Sequence, residues 1–254
     1  MRLILREEIM RLIHGTPITP KRHLEQLRGE SFCVSYAYPE QLHDVGPLVP
    51  ETGILLLDNG AFTTWKQGRE FDEQGFWDWA NAALDLYPNA VAVIPDKIAG
   101  TEAENLMLAS RAIRGGLARY QERTMFVWHT NDSLAQLEKA CLLFNFVAIG
   151  SCAEHDIQKH WPEFIARLEE ANRVIEAVDQ LAGRRPWIHV MRGLGKYHKF
   201  PRFDSADSSN VARNHCRTKG QPNHVRAMAD RIKNQIDRAL TPNQYSLLQR
   251  EERP

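Results

Sequence analysis

Six short runs of near-continuous apolar residues, at 32–36, 54–57, 91–94, 125–128, 146–149 and 187–191, constrain this chain more than any other feature. A strand can be apolar at every position only if both its faces are covered, which is the situation in a parallel sheet clad by helices. The intervening segments carry helical periodicity. Residues 73–86 bring Phe76, Trp79, Ala80, Ala83 and Leu84 near one face, and 103–120, 132–144 and 162–181 have comparable spacing. Strand and helix alternating in this way predict right-handed βαβ units. The 254 residues suit a single α/β domain, a closed (β/α)8 TIM-like barrel ahead of an open doubly wound sheet. A seventh strand is expected near Arg202-Phe203 and the eighth is inferred; the tail at 249–254 is expected to fray.

Several classes drop out. No run of about 18 apolar residues occurs, so a membrane-spanning helix is not expected. Glu7 and Glu8 come too early for a signal-peptide core, and a cytoplasmic protein is expected. Cys33, Cys141, Cys152 and Cys216 lie far apart, which predicts reduced thiols. Net charge is zero, yet residues 184–233 carry +9 against an acidic remainder. Such a segment suits a polyanion partner and suits a solvated basic face equally well.

Polar residues follow the apolar runs directly. The run at 54–57 ends in Asp58-Asn59-Gly60-Ala61-Phe62, that at 91–94 in Pro95-Asp96, that at 125–128 in His129, and that at 146–149 in Gly150. In a barrel all of these meet at the carboxyl rim, where active sites are built. An acid there is costly unless it is paired or used, although a helix cap explains any one of them alone.

The ordered set Asp-x-Gly-x-Phe, Pro-Asp, Ile-Gly and Phe203-Asp204-Ser205-Ala206 resembles the tRNA-guanine transglycosylase superfamily. The segment SADSSNVARN at 205–214 is most similar to the branch that inserts 7-deazaguanines into DNA. The resemblance runs from about Phe32 to Asn214 and implies a barrel enzyme that exchanges guanine for a 7-deazaguanine such as preQ0 through a covalent Asp-sugar intermediate. It matches Asp204 to the nucleophile, with Asp207 as the second candidate, and Asp58 to the acid/base. Phe62 would stack on the base, Asp96 would read its amino edge, and Gly150 would offer backbone groups. His129 would stand beside them, with Asn59 and Gly60 in the same base-binding loop.

The chemistry agrees with these residue types. Retaining glycosyl transfer needs one carboxylate as nucleophile and another to carry protons. A purine needs acceptors for its N1–H and amino group and an apolar plate for its face. Arg202, Arg213 and Arg217 are the basic residues expected at phosphates. The partners expected are locally opened or single-stranded DNA and a free 7-deazaguanine base, with tRNA as the alternative and a non-catalytic nucleic-acid-binding barrel as a third reading. A helper protein or a homodimer to open the duplex is left open. No organic cofactor is expected. The tRNA enzymes carry a cysteine-rich zinc site after the nucleophile; only His215, Cys216 and His224 are available here, a poor tetrahedral set, so no metal is expected.

Overall fold

The computed structural model describes residues 10–151, 159–194, 203–215 and 224–251, the last with side chains through 238. Eight parallel strands close into a barrel in sequence order: β1 (Arg11–Gly15), β2 (Ser31–Ser35), β3 (Leu55–Asp58), β4 (Ala90–Val93), β5 (Thr124–His129), β6 (Phe146–Gly150), β7 (Trp187–Val190) and β8 (Ser205–Ser208). The helices are α1 (Leu42–Val45), α2 (Ala61–Lys66), α3 (Glu73–Leu86), α4 (Glu102–Arg111), α5 (Leu134–Leu143), α6 (Trp161–Ala182), α7 (Asn210–Asn214) and α8 (His224–Glu251). The single (β/α)8 barrel is therefore the architecture. Among the described residues no helix is long and apolar enough to cross a membrane.

Two strands differ from expectation. β1 has no counterpart among the six apolar runs, and β8 begins two residues after Phe203. The segment expected as one helix over 103–120 becomes α4, a π turn at Ala112–Gly116 and a 3-10 turn at Ala118–Arg123. Gly116 marks the break: a Cβ there would sit 2.0 Å from the Trp77 ring, so the chain turns where only glycine fits. α4 starts on a reciprocal cap in which the Thr101 hydroxyl accepts from Glu104 N while the Glu104 carboxylate accepts from Thr101 N. α8 continues to Glu251, so residues 249–251 extend a helix, and 252–254 lie outside the described residues.

Alternation along the strands divides the core in two. Ile13, Leu56, Val91, Val93, Met125, Val127 and Ala148 pack together inside the barrel. Their chain neighbours, including Leu12, Leu55, Leu57, Ala92, Phe126 and Val147, pack outward against Phe76, Leu84, Leu137 and Phe164 of the helices. Every second residue of a strand therefore points at the barrel axis. Continued to the strand ends, this parity aims Asp58, His129, Gly150, His189 and Asp207 inward, and pairing of Ser35 with Asp58 and of His129 with Gly150 sets their levels.

Candidate active site

The turn after β3 is built by its own side chains. Asp58 Oδ2 accepts from Gly60 N at 3.0 Å and Asn59 Oδ1 accepts from Ala61 N at 2.8 Å, two successive Asx turns that start α2. Gly60 adopts φ 75°, and a Cβ there would lie 2.9 Å from Ala37 N, so glycine is required on both counts. The turn exposes Phe62 on α2 with Trp65 one turn later, their rings 6.0 Å apart. Trp65 was not singled out by sequence; it is more exposed than Phe62, at 54% against 39%.

Asn59 belongs to the turn that follows β3. It is buried, and its amide donates to Ile94 O and to Asp96 Oδ1, both at 2.8 Å. Asn59 thus braces Asp96, and Gly60 shapes the turn. The second Asp96 oxygen lies 2.9 Å from His129 Nε2, with both side chains about nine-tenths buried. Each carboxylate oxygen can accept twice, and among the described residues each Asp96 oxygen has one such neighbour. Gly150 lies beside His129: a Cβ would fall 3.3 Å from Val127 Cγ1 and 3.6 Å from His129 Nδ1, and its carbonyl accepts from Thr130 N at 3.0 Å.

Burial and the neighbouring charges of Asp96 and Asp207 push the Asp58 carboxyl up to about 6, against hydrogen bonds from Ser35 and Gly60 N that favour the charged form. A carboxyl titrating there exchanges protons readily near neutral pH. Cys33, in the same interior, is partly buried, and desolvation together with Asp58 and Asp207 raises its thiol well above the usual range.

The two candidate nucleophiles lie at opposite ends of β8. Asp204 precedes the strand; its oxygens accept from Arg185 at 2.9 and 2.8 Å and from Ile188 N at 2.7 Å, while its own carbonyl accepts from Arg11 N at the start of β1. That is the amino end of the barrel, away from Asp58. Asp207 stands two registers further along, opposite Ile13, at the level of the carboxyl rim. It accepts from Arg192 N at 2.5 Å and lies 3.3 Å from His189 Nε2. Of the two candidates, Asp204 is thus bound on both oxygens at the end of the strand away from Asp58, whereas Asp207 stands at the level of the rim.

A buried polar row orients Asp207. Trp187 Nε1 donates to Ser205 Oγ at 2.8 Å, and Ser205 Oγ lies 2.9 Å from His189 Nδ1. An indole N–H can only donate, so the serine oxygen accepts it and its hydroxyl donates a hydrogen bond to Nδ1, which places the His189 N–H on Nε2, the nitrogen nearer Asp207.

Arg192, within the basic 184–233 segment, brings a cation to the rim. Its guanidinium lies 4.3 Å above the Phe62 ring, and its backbone sits at φ 56°, a region that a long side chain occupies only when its surroundings hold it there. Arg213 is exposed on α7, while Arg202 and Arg217 lie outside the described residues. The +9 segment is not one surface. Arg184 is tied to Leu142 O and Asn145, Arg185 to Asp204, and Arg226 to Glu30.

No model of a known protein family matches the chain, and no curated protein matches it either.

Proposed function

We propose that this barrel is a base-exchange glycosyltransferase that replaces guanine in DNA with a 7-deazaguanine, with Asp207 as nucleophile and Asp58 as proton carrier. The observation that carries the reading is the convergence, from β3 and β8, of a carboxyl raised to about 6 and a carboxylate oriented by His189 and Arg192 N, beside the exposed Phe62. The order and identity of the motifs supply the substrate class.

In this mechanism Asp207 attacks C1′ of the target nucleotide as the C1′–N9 bond breaks, and protonated Asp58 gives its proton to the departing guanine. The sugar is left esterified to Asp207. Ionised Asp58 then takes the N9 proton of the incoming 7-deazaguanine, whose nitrogen attacks C1′ and releases Asp207. Phe62 stacks on the base, and Asp96, braced by Asn59 and His129, accepts from its N1–H and amino group. Arg192 and Arg213 meet the phosphates on either side.

The test is incubation with labelled guanine and single-stranded DNA, duplex DNA or tRNA, together with trapping of the covalent intermediate. Label in DNA, best in the single strand because an unpaired base needs no extrusion, is the expected result. Label in tRNA alone would reassign the substrate. No label and no trapping would reduce the barrel to a binding module.

A further inference from the structure

Away from the rim acids, three imidazoles from distant parts of the chain converge. His23 lies in the 3-10 turn at Lys21–Leu27 after β1, His215 follows α7, and His224 opens α8. One ring nitrogen from each lies within 4.8 Å of the other two. The rings are 4.5 Å apart for His23 and His224, 5.4 Å for His215 and His224, and 5.5 Å for His23 and His215. We propose that His23, His215 and His224 bind one divalent transition-metal ion of the zinc class, which clasps the β1–β2 connection to the α7–α8 connection across the seam where the barrel closes.

Two details point to a ligand and not to packing alone. His23 Nδ1 is buried and makes no hydrogen bond among the described residues. His215, almost wholly buried, has Nδ1 2.9 Å from Val211 O and Nε2 2.8 Å from Thr19 O. A neutral imidazole carries one proton: if Nδ1–H donates to Val211 O, Nε2 presents a lone pair beside a carbonyl, an arrangement that a cation relieves. A backbone carbonyl holding the remote N–H is also the usual support of a metal-bound histidine. Three nitrogen donors with one further position suit zinc, at about 2.0–2.1 Å per bond. Sequence spacing could not show this set, because His23 is far upstream of the other two and the adjacent His215-Cys216 pair drew attention away from it.

The site is independent of the reaction proposed above, and its test does not read activity. The full chain, dialysed against buffer free of chelator, should retain about one zinc per molecule by elemental mass spectrometry. X-ray absorption of the zinc-loaded wild-type protein should show a nitrogen and oxygen shell with outer scattering from three imidazoles. The double variant His23→Gln/His224→Gln should lose the metal, and EDTA should lower the wild-type Tm while leaving that of the variant unchanged. A folded wild-type protein that takes up no zinc or cobalt, a shell dominated by sulfur, or metal retained by the double variant would overturn the proposal. The absorption measurement needs no variant, so a variant that fails to fold leaves the proposal testable.

Discussion

At the amino end of the barrel Asp204 faces Arg185 and Glu30 faces Arg226. At the carboxyl end Asp58, Asp96 and Asp207 share one rim, and among the described residues none of them has a Lys or Arg ion pair; their partners are Ser35, Asn59, His129, His189 and backbone N–H groups. The first arrangement offsets the desolvation of each acid locally and ties the segment before β7 to that before β8, and α8 to the residue before β2. The second leaves acids near one another, which raises Asp58 and keeps it chemically responsive. Similar side chains are thus charge-paired at one end and, on the proposed reading, left available for chemistry at the other.

The sharpest way to break this contrast is to exchange the roles of the two acids of β8. Asp207→Asn should reduce base exchange and covalent trapping by roughly 10⁴-fold or more, the scale of losing a nucleophile, with the fold retained. Asp204→Asn should leave kcat within about threefold and lower unfolding free energy by about 1–3 kcal/mol, since Arg185 loses its charge partner. Trapping on DNA and urea titration measure the two effects; trapping lost in Asp204→Asn would reverse the assignment.

The pH response should also differ between the ends. Asp58 is raised in the fold, so the folded state binds its proton more tightly, and stability falls as pH rises from about 4 through about 6. Asp58→Asn should therefore stabilise the protein above pH 6, by up to about 3 kcal/mol, with no gain below pH 4, while abolishing the reaction. His14, on the outer face of β1 beside Phe32, is lowered to about 4, chiefly by burial. It must stay neutral in the fold, so stability is lost as pH falls from about 6.5 toward 4. His14→Leu should flatten that acid limb and leave activity at neutral pH untouched. Thermal unfolding across pH 4–8 reads both effects; an unchanged profile in either variant would remove that residue from the account.

Smaller effects belong to the substrate face. Phe62→Ala should weaken binding of the free base by about 1–3 kcal/mol in calorimetry, with little loss of stability because the ring is exposed. Replacing Arg192 and Arg213 with Gln should each reduce the slope of log K against log salt by about 0.7 on single-stranded DNA, whereas Arg184→Gln should not. Equal salt slopes in all three variants would place the nucleic acid elsewhere.

How much of this was legible in the sequence depended on what occupied the inward positions. Six strands are apolar on both faces and announced themselves, and α3 spans the same residues as its predicted segment. β8 did not, because its inward residues are Ser205 and Asp207, leaving Ala206 as its lone apolar member. β1 opens on Arg11 and carries His14, which interrupts its apolar run. The rim acids were visible as acids after strands, but the choice between Asp204 and Asp207 needed register, the pairing of Arg11 with Ser205 and of Ile13 with Asp207. The polar row from Trp187 to Asp207 and the position of Arg192 over Phe62 join residues that no local pattern links.

Asn59 holds one further consequence. Its amide joins Asp96 to the Ile94 carbonyl, and its carbonyl holds Ala61 at the head of the helix bearing Phe62. On the proposed reading, the group that would grip the edge of a base and the ring that would cover its face are therefore joined through one side chain. Engineering a new edge preference at Asp96 alone would leave Asn59 with a mismatched neighbour and tilt the ring as well. Altered selectivity should arise in paired changes at Asn59 and Asp96, and a library that varies both should find functional solutions that single-site libraries miss.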